Sequence, residues 1–158
     1  MTDLSYPIGK FTLEGAITPA RREGWIAEVA DAPAQLRGAV HGLTEAQYDS
    51  PYRAGGWTVR QVVHHLPDSH LNAYIRFKLA LTEDNPTIKP YAEALWAELP
   101  DTAGTPVGVS LVMLEALHRR WVVLLKSIAE PAWSRTFFHP DQKKSLTLEA
   151  VLAMYAWH

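Results

Sequence analysis

A chain of 158 residues, 47% hydrophobic and 20% charged, has the make-up of one globular domain with a single sizeable core. Its formal charge of -2, with no run of Lys or Arg longer than two, argues against nucleic acid or an anionic membrane as a partner. It has no cysteine, which excludes disulfides, zinc–thiolate sites and a cysteine nucleophile. Any transition-metal site must therefore draw on the seven histidines and the carboxylates.

No apolar run approaches the roughly 20 residues of a membrane span. The start of the chain, Met1 to Pro7, lacks the basic and apolar regions of a signal peptide, so a cytoplasmic location is expected. Residues 1–17 carry Pro7, Gly9 and Gly15 with little periodicity and read as an extended arm over the body. Thr18-Pro19 supplies an N-cap and a proline at the first helical position. A helix follows to about Leu43, with Trp25, Ile26, Val29, Leu36 and Val40 as its apolar stripe, and Pro33 predicts a kink or a break within it. Thr44 to Gln47 fits a capping box and one short helical turn.

After a loop over Ser50 to Gly56, Thr58 and Gln61 form a second capping-box pattern. The central helix then runs to about Thr82, roughly 37 Å at 1.5 Å per residue, with Val59, Val62, Val63, Leu66, His70, Ala73, Tyr74 and Phe77 at helical spacing. Pro67 sits inside it and predicts a kink beside the histidines, with the Val63 carbonyl freed or a local bulge formed. A short helix is expected over Tyr91 to Leu99 and a polar connection over Pro100 to Gly108. A third long helix is expected from about Val109 to Ala129, facing inward through Leu111, Leu114, Leu117, Trp121, Leu124, Leu125 and Ile128. The segment Glu130 to Ser145 reads as a turn with a short strand pair. Thr147 caps a last helix whose stripe is Leu148, Val151, Leu152, Tyr155 and His158. The blunt, uncapped end at His158 reads as a truncated C-terminus.

The chemistry concentrates in His64-His65-Leu66-Pro67-Asp68-Ser69-His70. Buried imidazole is costly without a partner, so such a cluster on a core helix points to a metal or a proton-transfer site. Taking about 100° per residue, His65 lies about 60° from Val62 while His64 points away. His65 is therefore the best ligand candidate. Asp68 shares its face and is a candidate to orient the imidazole, and His70 lies on the apolar stripe itself. His158 closes the last helix, and inward histidines on two long helices match the way bundles build metal sites. His118 and His139 are possible contributors, each with a surface role favoured, and His41 reads as surface. No HExxH, GxSxG, P-loop or GxGxxG pattern is present, and catalytic residues other than metal ligands are unknown.

Several stretches together carry a resemblance: Gly55 to Leu66, Asp68-Ser69-His70, Tyr74 to Leu79 and Tyr155-Ala156-Trp157-His158, with Leu4 to Gly9 and Phe138 to Asp141 in support. The chain resembles the YfiT-like branch of the DinB superfamily over nearly its whole length. The resemblance implies an all-α four-helix bundle of up-down-down-up connectivity, often a homodimer. It also implies one zinc or nickel ion per subunit, held by a central-helix histidine and an HxxxH pair on the last helix. His65 matches the first ligand and His158 the first of the pair; the second would fall four residues later. Pro67 departs from the small helix former usual in the family. The implied activity is metal-dependent hydrolysis, or S-transfer from a low-molecular-weight thiol, on a small electrophilic substrate. The alternative is a non-catalytic dimeric bundle with structural histidines.

Overall fold

Thr18 opens the first helix, α1 (Pro19–Ala39): its hydroxyl accepts from the Arg21 amide, and Pro19 takes the first helical position. The computed structural model describes residues 6–158; the first five residues of the expected arm, with Leu4 and Ser5 of the resemblance, lie outside them. The short α2 (Glu45–Tyr48) and the long α3 (Val59–Thr82) each begin with the complete capping box their sequences predict, Thr44 with Gln47 and Thr58 with Gln61. Two short helices follow, α4 (Glu93–Trp96) and α5 (Pro100–Gly104), then α6 (Val107–Ser127). A 3₁₀ turn over Glu130–Ser134 leads into the hairpin β1 (Thr136–His139) and β2 (Lys144–Thr147), and Thr147 caps α7 (Leu148–Trp157).

The differences from expectation are local and have physical causes. α1 ends at Ala39, short of Leu43, and Gly42 takes a left-handed turn at φ +78° on the way to α2. Both α1 and α3 continue as α-helix through their prolines, so neither the break at Pro33 nor a bulge at Pro67 forms. Each proline is buried, and burial of the flanking apolar turns offsets the loss of one backbone hydrogen bond. Pro100 starts a helical turn, α5, inside what reads as a polar connection.

The four long helices close into a ring: α3 packs on α6, α6 on α1, α1 on α7, and α7 back on α3. The central core, built from Phe77, Trp121, Leu125, Leu148 and Leu152, is excluded from solvent. A smaller cluster of Val40, Tyr48, Val63, Val107 and Leu111 fills one end. Two buried arginines tie the periphery together. Arg22 on α1 pairs with Glu130 and Glu149, and Arg60 on α3 pairs with Asp49 at 2.7 Å and Glu45 at 2.6 Å. The hairpin is antiparallel, with Thr136 opposite Thr147 and His139 opposite Lys144. The loop after α3 runs beside it, where the Phe138 amide donates to the Pro86 carbonyl and the Ile88 amide to the Phe138 carbonyl. The N-terminal arm covers the bundle end, with the Phe11 ring 6.0 Å from that of Trp157. Among the described residues no helix is long and apolar enough to cross a membrane.

The Thr58 capping box starts the helix that carries three of the seven histidines. Thr58→Ala removes the acceptor for the Gln61 amide, and the protein is expected to lose about 1 kcal/mol of unfolding free energy. Urea denaturation measures this, and an unchanged midpoint would show that packing alone sets the start of α3.

Candidate metal centre

Successive turns of α3 send its histidines in different directions. His64 turns toward α5 and α6: its Nδ1 lies 2.6 Å from the Ser110 hydroxyl and its Nε2 donates to the Thr105 carbonyl at 3.1 Å. The carbonyl can only accept, so Nε2 carries the proton and Ser110 donates to Nδ1. His64 is thus fully used inside the bundle, away from the other histidines, and burial lowers its pKa.

His70 and His118 form the buried centre. His118 was expected at the surface; it is 2% exposed, because it lies four residues after Leu114 and three before Trp121 on the inward stripe of α6. Its Nδ1 donates to the Val29 carbonyl at 2.6 Å. That carbonyl is the one opposite Pro33, whose missing N–H leaves it without its helical partner. The freed carbonyl that serves the histidines is therefore on α1, whereas the Pro67 position pointed to Val63. With Nδ1 protonated, neutral His118 presents a lone pair at Nε2, 2.7 Å from His70 Nδ1, so His70 donates there. His70 Nε2 is then an acceptor, and His158 Nδ1 lies 3.2 Å from it. The proton order runs His158 to His70 to His118 to Val29, and leaves His158 Nε2 with a free lone pair. Burial, followed by the charges His158, His118 and His65 would carry, pushes His70 down to about 2, so it stays neutral at any ordinary pH.

His65 is half-buried and makes no hydrogen bond within the described residues. Its ring packs edge-on to Trp57 at 4.9 Å and to His158 at 5.8 Å. Burial lowers its pKa, and Glu93 partly opposes this. His158 keeps surface open to solvent, yet the protein packed around its ring and then the charge of His65 push it down to about 4. Both imidazoles are thus neutral near pH 7, the form a metal binds. Two imidazoles sharing one ion at about 2.0–2.1 Å place their centroids roughly 5–6 Å apart, and the observed separation falls in that range. The pair fits a divalent metal. Among the described residues no group of three His, Cys, Asp or Glu side chains is disposed to hold an ion, so the pair supplies two donors.

Asp68 makes no hydrogen bond to His65; its side chain is half-buried, and burial first, then Asp101, raises its pKa. His41 is exposed, as expected. His139 is partly buried on the hairpin and its Nδ1 is enclosed without a partner. A cavity of about 650 Å³ opens beside His70 and His158, lined by Leu36, Leu66, Leu114 and Tyr155 among others.

A four-helix bundle with a small hairpin and paired imidazoles on two facing helices defines a class of histidine-centred bundle proteins. The sequence profile described as the DinB superfamily matches residues 28–158, and the chain belongs to that superfamily. A Bacillus cereus (strain AH820) protein named "Putative metal-dependent hydrolase" is 58% identical over 158 residues, covering all of this chain and 90% of the relative. A Bacillus mycoides (strain KBAB4) protein bearing the same description is 56% identical with the same coverage. Among solved structures, YfiT from Bacillus subtilis superposes with a TM-score of 0.95 at 49% identity, over 98% of this chain and 89% of that one. It is described as "a probable metal-dependent hydrolase with an unusual four-helix bundle topology".

The proton order is directly measurable. In metal-free protein, long-range ¹H–¹⁵N spectra should show His118, His70 and His158 all protonated at Nδ1; an Nε2–H tautomer at His158 would break the derived chain. The buried imidazoles also set a pH dependence. His64 and His118 have lowered pKa values in the folded state, while the unfolded chain accepts protons below about pH 6.5. The unfolded state therefore binds more protons below that pH, and stability falls as pH falls, by up to about 1.4 kcal/mol per pH unit for each such histidine. Urea midpoints between about pH 7.5 and pH 5.5 should drop accordingly; a flat profile would show that these rings titrate alike in both states.

Proposed function

We propose that the protein is a metal-dependent enzyme in which His65 and His158 hold one divalent ion, zinc or nickel, for hydrolysis of a small electrophilic substrate. The observation that supports it is the pair itself: two neutral imidazoles from different helices, 5.8 Å apart, with His65 unbonded and His158 Nε2 uncommitted among the described residues. When bound, the metal supplies a Lewis acid and lowers the pKa of a ligated water to about 7. His70 holds His158 in the tautomer with Nε2 free, and His118 holds His70 in turn. Trp57, against the His65 ring, limits where that ring can turn. Remaining donors come from outside the pair.

A low-molecular-weight thiol as the nucleophile is the finer alternative within this reading. Its support is the absence of cysteine from the chain: a thiol ionised at the metal would have to arrive as a cosubstrate. A homodimer also belongs to the reading, and the exposed Val109, Val112, Met113 and Val123 on α6 are the apolar surface that supports it.

Equilibrium dialysis against zinc and nickel tests the site. The protein is expected to retain one ion, and His65→Ala to weaken retention by at least about 10-fold, the usual scale for disturbing a metal site. Stoichiometric metal in His65→Ala removes His65 from the site. A melting temperature indifferent to metal and chelator would favour the non-catalytic bundle.

A further inference from the structure

Three arginines are buried among the described residues: Arg22, Arg60 and Arg76, at 6%, 9% and 8% exposure. Arg22 and Arg60 each face two carboxylates. Arg76 has no ion pair and no hydrogen-bond acceptor among the described residues. Removing an ion from water costs several kcal/mol unless a counter-charge compensates it, and Arg remains charged at all ordinary pH values. The other two arginines show how this fold satisfies that demand internally. No guanidinium nitrogen of Arg76 is among the enclosed unpartnered atoms, so its head group reaches solvent, where an anion from outside the described residues can pair with it.

Its position indicates where. His65, Ser69, Asn72 and Arg76 follow one another along a single face of α3, and Arg76 returns to within about 20° of His65 after three turns, roughly 16 Å along the axis. Tyr155 bridges the two ends. Its hydroxyl donates to the Ser69 carbonyl at 3.3 Å, and its ring lies 5.8 Å from that of His158. The charge of Arg76 reaches Tyr155, Tyr91 and His139. Burial holds both phenols in their protonated, donating form, Tyr91 pushed up to about 12. His139 adds an enclosed Nδ1 that has no hydrogen-bond partner among the described residues. Glu93, the carboxylate whose charge reaches His65 and Tyr91, forms no ion pair with Arg76.

We propose that Arg76 anchors the carboxylate of a small molecule whose reacting end lies at His65 and His158. A lone guanidinium matches a monoanionic carboxylate through its two parallel donors. A phosphate dianion would leave a surplus negative charge that the neutral tyrosines beside Arg76 do not balance. The placement of the reacting end rests on the metal-centre reading; carboxylate binding at Arg76 does not.

The test follows the Arg76 Nε–Hε signal in metal-free protein during titration with propionate and, separately, with the uncharged propionamide. A saturable shift with propionate alone is expected, and Arg76→Gln should weaken propionate binding by about tenfold or more, the loss of one charge-assisted pair. Absence of a saturable shift, an equal response to propionamide, or unweakened binding in Arg76→Gln would each overturn the proposal. If Arg76→Gln does not fold, the titration of the unsubstituted protein decides alone. A parallel zinc titration separates the two readings: propionate binding without zinc binding removes the metal centre and leaves the anchor, whereas zinc binding without propionate binding removes the anchor.

Discussion

The bond from His118 to the Val29 carbonyl is the constraint on which the rest of the site depends. Pro33 lacks the amide that would otherwise occupy that carbonyl, so a helix defect on α1 becomes an acceptor aimed into the bundle. His118 takes it at 2.6 Å and is thereby fixed in one tautomer. That choice passes to His70 and then to His158, since each neutral ring has one donor and one acceptor to spend. Every link is buried or partly so, and a buried polar group left unmatched costs about 1–3 kcal/mol. The array is therefore satisfied together or strained together. Its outcome is a lone pair at Nε2 of His158, whose ring centroid lies 5.8 Å from that of His65.

This arrangement divides the histidines of α3 by role. His64 is spent on Ser110 and Thr105, where it ties α3 to α6 and to the turn before it. His70 is spent on its two neighbours. His65, between them in sequence, has no hydrogen-bond partner among the described residues, and its ring packs against Trp57 and His158. One helix thus carries a structural, a positioning and a candidate ligating imidazole within seven residues. The rotation of about 100° per residue separates them.

Charge is handled by the same logic. Arg22 and Arg60 sit where the loops and α7 bring carboxylates to them, so their burial is compensated within the fold and fastens the ring of helices. Arg76 lies on the face of α3 that carries His65, with tyrosine hydroxyls and an unmatched imidazole around it. Neutral imidazoles toward one end of that face and a cation without a carboxylate partner among the described residues toward the other polarise it along its length. A face so polarised orients a ligand with one anionic end.

The local features were legible in the chain before any coordinates. Both capping boxes, the N-cap and proline of α1, the hairpin before the last helix and the inward faces of His65 and His70 follow from short-range rules, because caps and helical spacing involve residues three or four apart. The inward place of His118 was legible too, from its spacing to Leu114 and Trp121, although a lone histidine on an apolar stripe is easily assigned to the surface. What only the tertiary structure decided are the partners. Pro33 announces a free carbonyl but not the imidazole 89 positions away that takes it. Arg22, Arg60 and Arg76 look alike in sequence, and only the packing of distant segments gives two of them carboxylates and leaves the third without one among the described residues. Side-chain spacing along one helix fixes direction, whereas the identity of the group met there depends on how four helices close on one another.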